Sequence, residues 1–221
     1  EDYGADATDL FNSLTGYSDL RAYRKLLVAP PTLREGIAGM IRREMEHSRQ
    51  GRTGHLIFKV NSLVDETMIH LLYEASQVGV KVELIVRGIC CLRPGLKGVS
   101  ENITVRSVVG RFLEHSRIYR FHNAGSPEHF IGSADWMKRN LNKRVETITP
   151  VRDPAIQQQL DSIIDVYEQD NCCAWDMQPD GTYIRREPAD GEPRRPAQST
   201  FIRLAERASS GLLESPAAAT G

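Results

Sequence analysis

Residues 55–87 read HLIFKVNSLVDETMIHLLYEASQVGVKVELIVR, and the change of period along this stretch decides the fold. His55–Val60 has the length and apolar make-up of a strand. Asp65 then offers a side-chain oxygen to the orphan N–H groups of a helix start, and Met68, Ile69, Leu72 and Ala75 recur at helical spacing until Gly79 closes the turn. Val80–Val86 is a second strand, apolar enough to be covered on both faces. Strand, helix and strand in this order predict a crossover connection within a sheet.

Working outward, Leu26–Ala29 is another short apolar run, ended by Pro30-Pro31. Thr32 and Glu35 have the spacing of a capping box, and Leu33, Ile37, Met40, Ile41 and Met45 mark a helix that runs to Gly51. Downstream of Arg87 the texture changes to short strands, near 103–109, 116–121, 128–132 and 145–149. Asp153-Pro154 starts a long helix as N-cap and first residue, with Ile156, Leu160, Ile163, Ile164 and Tyr167 on one side. Near the N-terminus, Leu10, Phe11 and Leu14 give a short helix from Asp6, with Gly16 as its left-handed stop. The reading is therefore α/β: a mixed sheet flanked by helices, preceded by a short piece of another domain. Residues 1–25 are expected to close that preceding domain and residues 26–175 to form the main one. Residues 176–221, dense in Pro, Gly and charge, are expected to be a flexible or loosely docked tail, with one more short helix near 201–213.

Composition limits what such a chain can be. Its 221 residues carry a formal charge of −1, with 40% hydrophobic and 26% charged side chains, which suits a packed core and excludes a wholly disordered chain. No 18-residue apolar stretch and no secretory signal are visible, so no membrane span is expected. The four cysteines form two adjacent pairs, Cys90-Cys91 and Cys172-Cys173, without zinc-ligand spacing; they are read as reduced thiols, and no metal site is expected in this chain. The first residue is Glu1, so the chain reads as part of something longer.

The near-zero charge hides a local bias. Between Arg106 and Arg144 there are eight Lys or Arg residues against three acids. A solvated basic face would explain this, and so would arginines converging on a phosphate, whose oxygens match the guanidinium fork. His115 and Arg117 lie two apart, so on a strand they share a face: an imidazole can move a proton near neutral pH, and a guanidinium can hold a phosphoryl oxygen. Gly132-Ser133 would let a substrate approach the backbone, with a hydroxyl at hand. Asn61, between strand and helix, could donate to phosphate or simply cap its turn.

Four strings carry a family resemblance: LLVAPPTLREGI (26–37), FKVNSLVDETMIHLLYEASQVGVKVELIVRGICCLRPG (58–95), SENITVRSVVGRFLEHSRIYRFHN (100–123) and IGSADWMKRNLNKRVETITPVRDP (131–154). They closely resemble the C-terminal region of bacterial polyphosphate kinases of the type that autophosphorylates on histidine, and DATDLFNSLTGYS (6–18) resembles the end of the domain before it. The resemblance implies a phospholipase D-like domain and reversible transfer of the terminal phosphate of ATP to inorganic polyphosphate. It implies a phosphohistidine upstream of these residues and Mg2+ whose ligands also lie outside them, so the chain alone should not autophosphorylate.

His115 matches the family's second histidine, tied to ATP binding and catalysis, and Arg87 matches the phosphate-contacting arginine of the VRGxC string. Arg117, Ser133, Lys138, Arg139 and Asn140 fall in the motif strings and are candidates for lining the polyphosphate path. Asp135 stands where phospholipase D relatives usually have Asn after Gly-Ser, a departure that speaks against a phosphodiesterase. His47, His55, His70, His122 and His129 are read as surface or structural. The expected partners are ATP or ADP, polyphosphate, the upstream domains and further copies of the protein, with no nucleic acid. The expected location is cytoplasmic, with attachment to a membrane surface left open. The alternatives are a non-catalytic polyphosphate- or polyanion-binding module and, further off, a phospholipase D-like phosphodiesterase.

Overall fold

A computed structural model describes residues 1–17 and 22–210. Among them one sheet holds β1 (Leu27–Ala29), β2 (His55–Val60), β3 (Lys81–Val86), β4 (Ile103–Val108), β5 (Ile118–Phe121), β6 (Glu128–Gly132), β7 (Glu146–Val151), β8 (Ala174–Met177) and β9 (Tyr183–Arg185). The helices are α1 (Asp2–Leu14), α2 (Leu33–Arg49), α3 (Glu66–Gln77), α4 (Lys138–Asn142), α5 (Pro154–Glu168) and α6 (Ala197–Ser209). Across the sheet the order is β1-β7-β6-β5-β2-β3-β4-β8-β9. β2, β3 and β4 are parallel, and the other pairings are antiparallel. The mixed sheet expected from the change of period is thus present, with α3 as the crossover between β2 and β3.

Strand alternation divides the core between two faces. Leu56, Phe58 and Val60 of β2 point with Tyr119 and Phe121 of β5 into the apolar layer formed with α2 and α3. There Phe58 meets Tyr119, Phe121 and Trp136 at ring-centroid distances of 5.7, 5.3 and 5.0 Å. Ile57 and Ile118 point the other way, onto Leu160 and Ile164 of α5. Beside them Ile85, Val108, Tyr167 and Ala174 meet Ala197 of α6.

Most helix ends follow the expected caps. Asp65 accepts from Met68 N, and Asp153 accepts from Ala155 N and Ile156 N ahead of Pro154. Gly16 and Gly79 have φ of 79° and 90°, the left-handed stops that glycine supplies. The capping box at Thr32 does not form. Its hydroxyl is taken by the preceding turn instead, accepting from Val28 N at 2.9 Å and donating to Val28 O at 3.3 Å.

α1 begins at Asp2 rather than Asp6. The fully buried Asp6 carboxylate accepts from the backbone N–H groups of Arg24, Lys25 and Leu26, which ties this helix to the start of β1. Burial opposes its ionisation, but these N–H groups and the Arg24 guanidinium together outweigh it and hold the carboxyl at about 2.

The expectation of a flexible or loosely docked tail from residue 176 is corrected for 176–210. β8 pairs with β4, β9 pairs with β8, and α6 packs Ala197 and Phe201 onto Tyr167 of α5. Asp170 organises the path: Oδ1 accepts from Cys172, Cys173 and Ala174 N–H, and Oδ2 from Ala197 N. Arg186 adds bonds to Asp176 and to the Glu168 and Asp170 carbonyls. Side-chain-to-backbone bonds of this kind leave no hydrophobic period, which is why the segment looks unstructured in sequence. The expected helix at 201–213 starts earlier, at Ala197, and residues 211–213 lie outside the described residues.

Candidate active site at the strand ends

β2, β3 and β4 end at one edge of the sheet, where antiparallel β5 begins and β6 ends. Open α/β sheets receive ligands at such an edge. Arg87 directly follows β3, and His115 and Arg117 precede β5. With β2 between β3 and β5, strand spacing puts the ends of those two strands about 10 Å apart.

Arg87 is half-buried, and its guanidinium has no side-chain partner among the described residues. Arg117 is the opposite case. Its Nε and Nη2 form a fork with Asp135 at 3.2 and 2.9 Å, while Nη1 donates to the His115 carbonyl at 2.9 Å. Asp135 also accepts from Asn61 N at 2.8 Å. Burial works against the Asp135 charge, but Arg117 and this N–H outweigh it, and its carboxyl lies below its ordinary value. The Asn61 amide is satisfied with its oxygen toward Arg117 Nη2 (2.6 Å) and its nitrogen toward Glu114 O (2.6 Å). Asn61 is therefore committed to organising this edge.

His115 is exposed, with Nδ1 3.2 Å from Arg117 Nη1. A guanidinium can only donate, so Nδ1 accepts and the proton of the neutral ring sits on Nε2, the nitrogen turned away from Arg117.

Beneath the His115 loop is a buried polar cluster that sequence reasoning missed. Lys59 Nζ lies 3.3 Å from Glu114 Oε2, donates to Ser116 O at 3.2 Å and stands 5.0 Å over the Tyr167 ring. Tyr167 donates to Glu114 at 2.5 Å. Burial lowers the Lys59 pKa and Glu114 opposes that; burial and Glu114 both push the Tyr167 hydroxyl up. The available signal was Lys59 itself, a lysine between Phe58 and Val60 in an otherwise apolar run.

The other candidates separate by what they touch. Ser133 Oγ donates to Glu146 and accepts from Thr147 N, and buried Asn140 donates to Glu146 at 2.7 Å. Lys138 is exposed and lies 3.3 Å from Glu66 at the start of α3, while Arg139 is exposed on α4. The idea that Gly132 gives a substrate access to the backbone is corrected: a Cβ there would sit 2.3 Å from Thr147 O, so glycine permits the close approach of β6 to β7.

The carboxylates reaching this edge do not fit a magnesium ion, which needs free oxygen ligands in octahedral array. Asp135 is held by Arg117, Glu146 by Ser133 and Asn140, and Glu114 by Lys59 and Tyr167. Elsewhere Asp170, Cys172 and Cys173 cluster, but both Asp170 oxygens already accept backbone N–H groups. The cysteines are free thiols, and burial pushes Cys90 up to about 11.

Residues 26–198 match the family model described as polyphosphate kinase C-terminal domain 2. The chain is 56% identical over 200 residues to a polyphosphate kinase of Parasynechococcus marenigrum and 50% identical over 200 residues to one of Streptomyces coelicolor. It aligns with 90% of its own length in each case but spans only 28% and 27% of those relatives. The crystal structure of polyphosphate kinase from Porphyromonas gingivalis superposes with a TM-score of 0.89 at 40% identity, covering 95% of this chain and 32% of that one. Nuc from Salmonella typhimurium, a phospholipase D family member, superposes over 70% of this chain and 97% of its own with a TM-score of 0.51 at 13% identity, a likeness of fold alone. With its mixed sheet and the match over 26–198, this chain belongs to the polyphosphate kinase family, through that family's C-terminal domain 2.

Proposed function

We propose that the edge carrying Arg87 and His115 is one wall of a site that reversibly transfers the terminal phosphate of ATP to inorganic polyphosphate. The observation that carries this reading is the contrast between two arginines: Arg117 is neutralised by Asp135, whereas Arg87 at the strand ends meets no counter-charge among the described residues. An unmatched guanidinium in a half-buried position is a ready partner for phosphoryl oxygens, and it stabilises the charge that spreads over them during transfer. His115, oriented by Arg117, presents Nε2–H to a phosphoryl or leaving oxygen. Lys138 and Arg139, exposed just after the end of β6, are candidates to guide a polyanion. Arg117, Ser133 and Asn140 serve that path by shaping it, their polar groups being already engaged.

The attacking histidine and the Mg2+ ligands belong, in this reading, to the upstream part of the protein, and no step here is routed through the metal. Cytoplasmic location and association with further copies follow from the same family likeness. In the full-length protein, His115→Ala and Arg87→Ala are expected to lower phosphate transfer by about 10²–10⁴-fold with folding retained. Loss of polyphosphate affinity at unchanged turnover would favour a binding module instead. Incubated alone with labelled ATP, the 221-residue chain should acquire no acid-labile phosphate.

A further inference from the structure

The loop that carries His115 is held from behind by a residue the reaction does not use. Gln198, in the first turn of α6, accepts from Phe112 N through Oε1 at 2.8 Å and donates from Nε2 to Phe112 O at 2.8 Å. Nε2 also donates to Glu114 Oε1 at 2.7 Å. The amide has two N–H donors, so one serves the carbonyl and the other the carboxylate. A single side chain thereby grips both polar groups of one peptide residue, much as a neighbouring strand would.

Gly110 shows that the chain makes room for this grip. A Cβ at Gly110 would lie 2.4 Å from Gln198 Oε1 and 2.6 Å from its Cδ. On the far side of His115, Lys59 holds Ser116 O and Arg117 holds His115 O, as described above. Packing cannot do the same work, because the loop borders an open groove of about 460 Å³ lined by Phe112, Leu113, Phe201 and Ile202. Phe112 and Leu113 are 52% and 72% exposed, so hydrogen bonds are what hold the loop.

We propose that Gln198 is a positioning residue for His115, so that α6 sets where Nε2 meets its oxygen. This rests on the role given to His115 above. A displacement of about 1 Å at a reacting group can cost up to roughly 10²-fold in rate, so a clamp remote from the chemistry can control turnover.

The test uses the full-length protein with Gln198→Leu, which keeps the shape and removes the bonds, and Gly110→Ala, which displaces only the end of the flexible Gln198 side chain. Hydrogen exchange of residues 109–116 should quicken by about tenfold or more in both variants. Turnover should fall by about tenfold with little change in KM for ATP. Added to His115→Ala, either change should lower turnover by less than about twofold further, since the group being positioned is gone. Unchanged exchange, or faster exchange with full turnover, overturns the positioning role while leaving His115 its own. His115→Ala with full turnover overturns both readings, and the exchange result still reports whether the clamp exists. Should Gln198→Leu fail to fold, Gly110→Ala decides alone.

Discussion

The two faces of the sheet are built from the same strands by different chemistry. On the α2–α3 face, the inward positions of β2 and β5 are Leu56, Phe58, Val60, Tyr119 and Phe121, all apolar or aromatic. On the α5–α6 face, the alternate positions include Lys59, Glu83, Arg106 and Arg120. Each of these has a counterpart: Glu114 for Lys59, His55 for Glu83, Asp176 for Arg106 and Asp161 for Arg120. The apolar face has no preferred partner for any one side chain, so it supplies cohesion. The charged face works only if each element arrives at one place, so it supplies position, and the His115 loop is among the things it positions.

The largest effects should come from attacking each face at its centre. Phe58→Ala is expected to destabilise by about 3–5 kcal/mol, the range for removing a buried aromatic ring. Lys59→Met should cost a similar ~3–5 kcal/mol because it leaves the Glu114 charge buried and unpaired. The faces part company on rescue: adding Glu114→Gln to Lys59→Met should restore at least about half of the loss, and adding it to Phe58→Ala should restore nothing. Denaturant unfolding of the two double mutants measures this directly. Equal recovery in both would show that the faces are not different in kind.

A smaller effect sharpens the same contrast through pH. Burial and the neighbouring Glu83 carboxylate push Glu168 up to about 7. Burial opposes the Glu83 charge, but His55 and the Glu168 proton outweigh it and Glu83 moves down. Between 4.5 and about 7 the folded chain therefore keeps a proton on Glu168 that the unfolded chain has lost, so this pair makes stability fall as pH rises through that window. Melting temperatures taken across it should decline, and Glu168→Gln should flatten the decline; an unchanged slope would count against the shared proton. Smallest of all, Lys138→Ala should shift stability by less than about 0.5 kcal/mol, because its pair with Glu66 is 68% and 76% exposed.

Much of the fold was legible because burial is periodic over a few residues. The strands at 55–60, 103–108 and 128–132, the helix closed by Gly79 and the Asp153-Pro154 start are all local patterns. The capping box at Thr32 was misleading for the same reason: the motif is local, but its hydroxyl found a better partner in the preceding turn. At the site, the sequence and its family strings singled out Arg87, His115 and Arg117. They did not reveal that Arg117 is locked to Asp135, that Gly132 answers to β7, or that Lys59 and Glu114 support the loop.

What the amino-acid order determined by itself was the alternation of apolar and polar residues, and with it a mixed sheet and most elements of residues 26–168, the short helix α4 excepted. Only the tertiary structure decided which charges are spent on one another. It also decided that the residues after 176 close the sheet and reach back to Phe112. The physical reason is range: the apolar pattern repeats every two residues in a strand and every three or four in a helix, whereas Lys59 meets Glu114 and Gln198 meets Phe112 only through the tertiary fold.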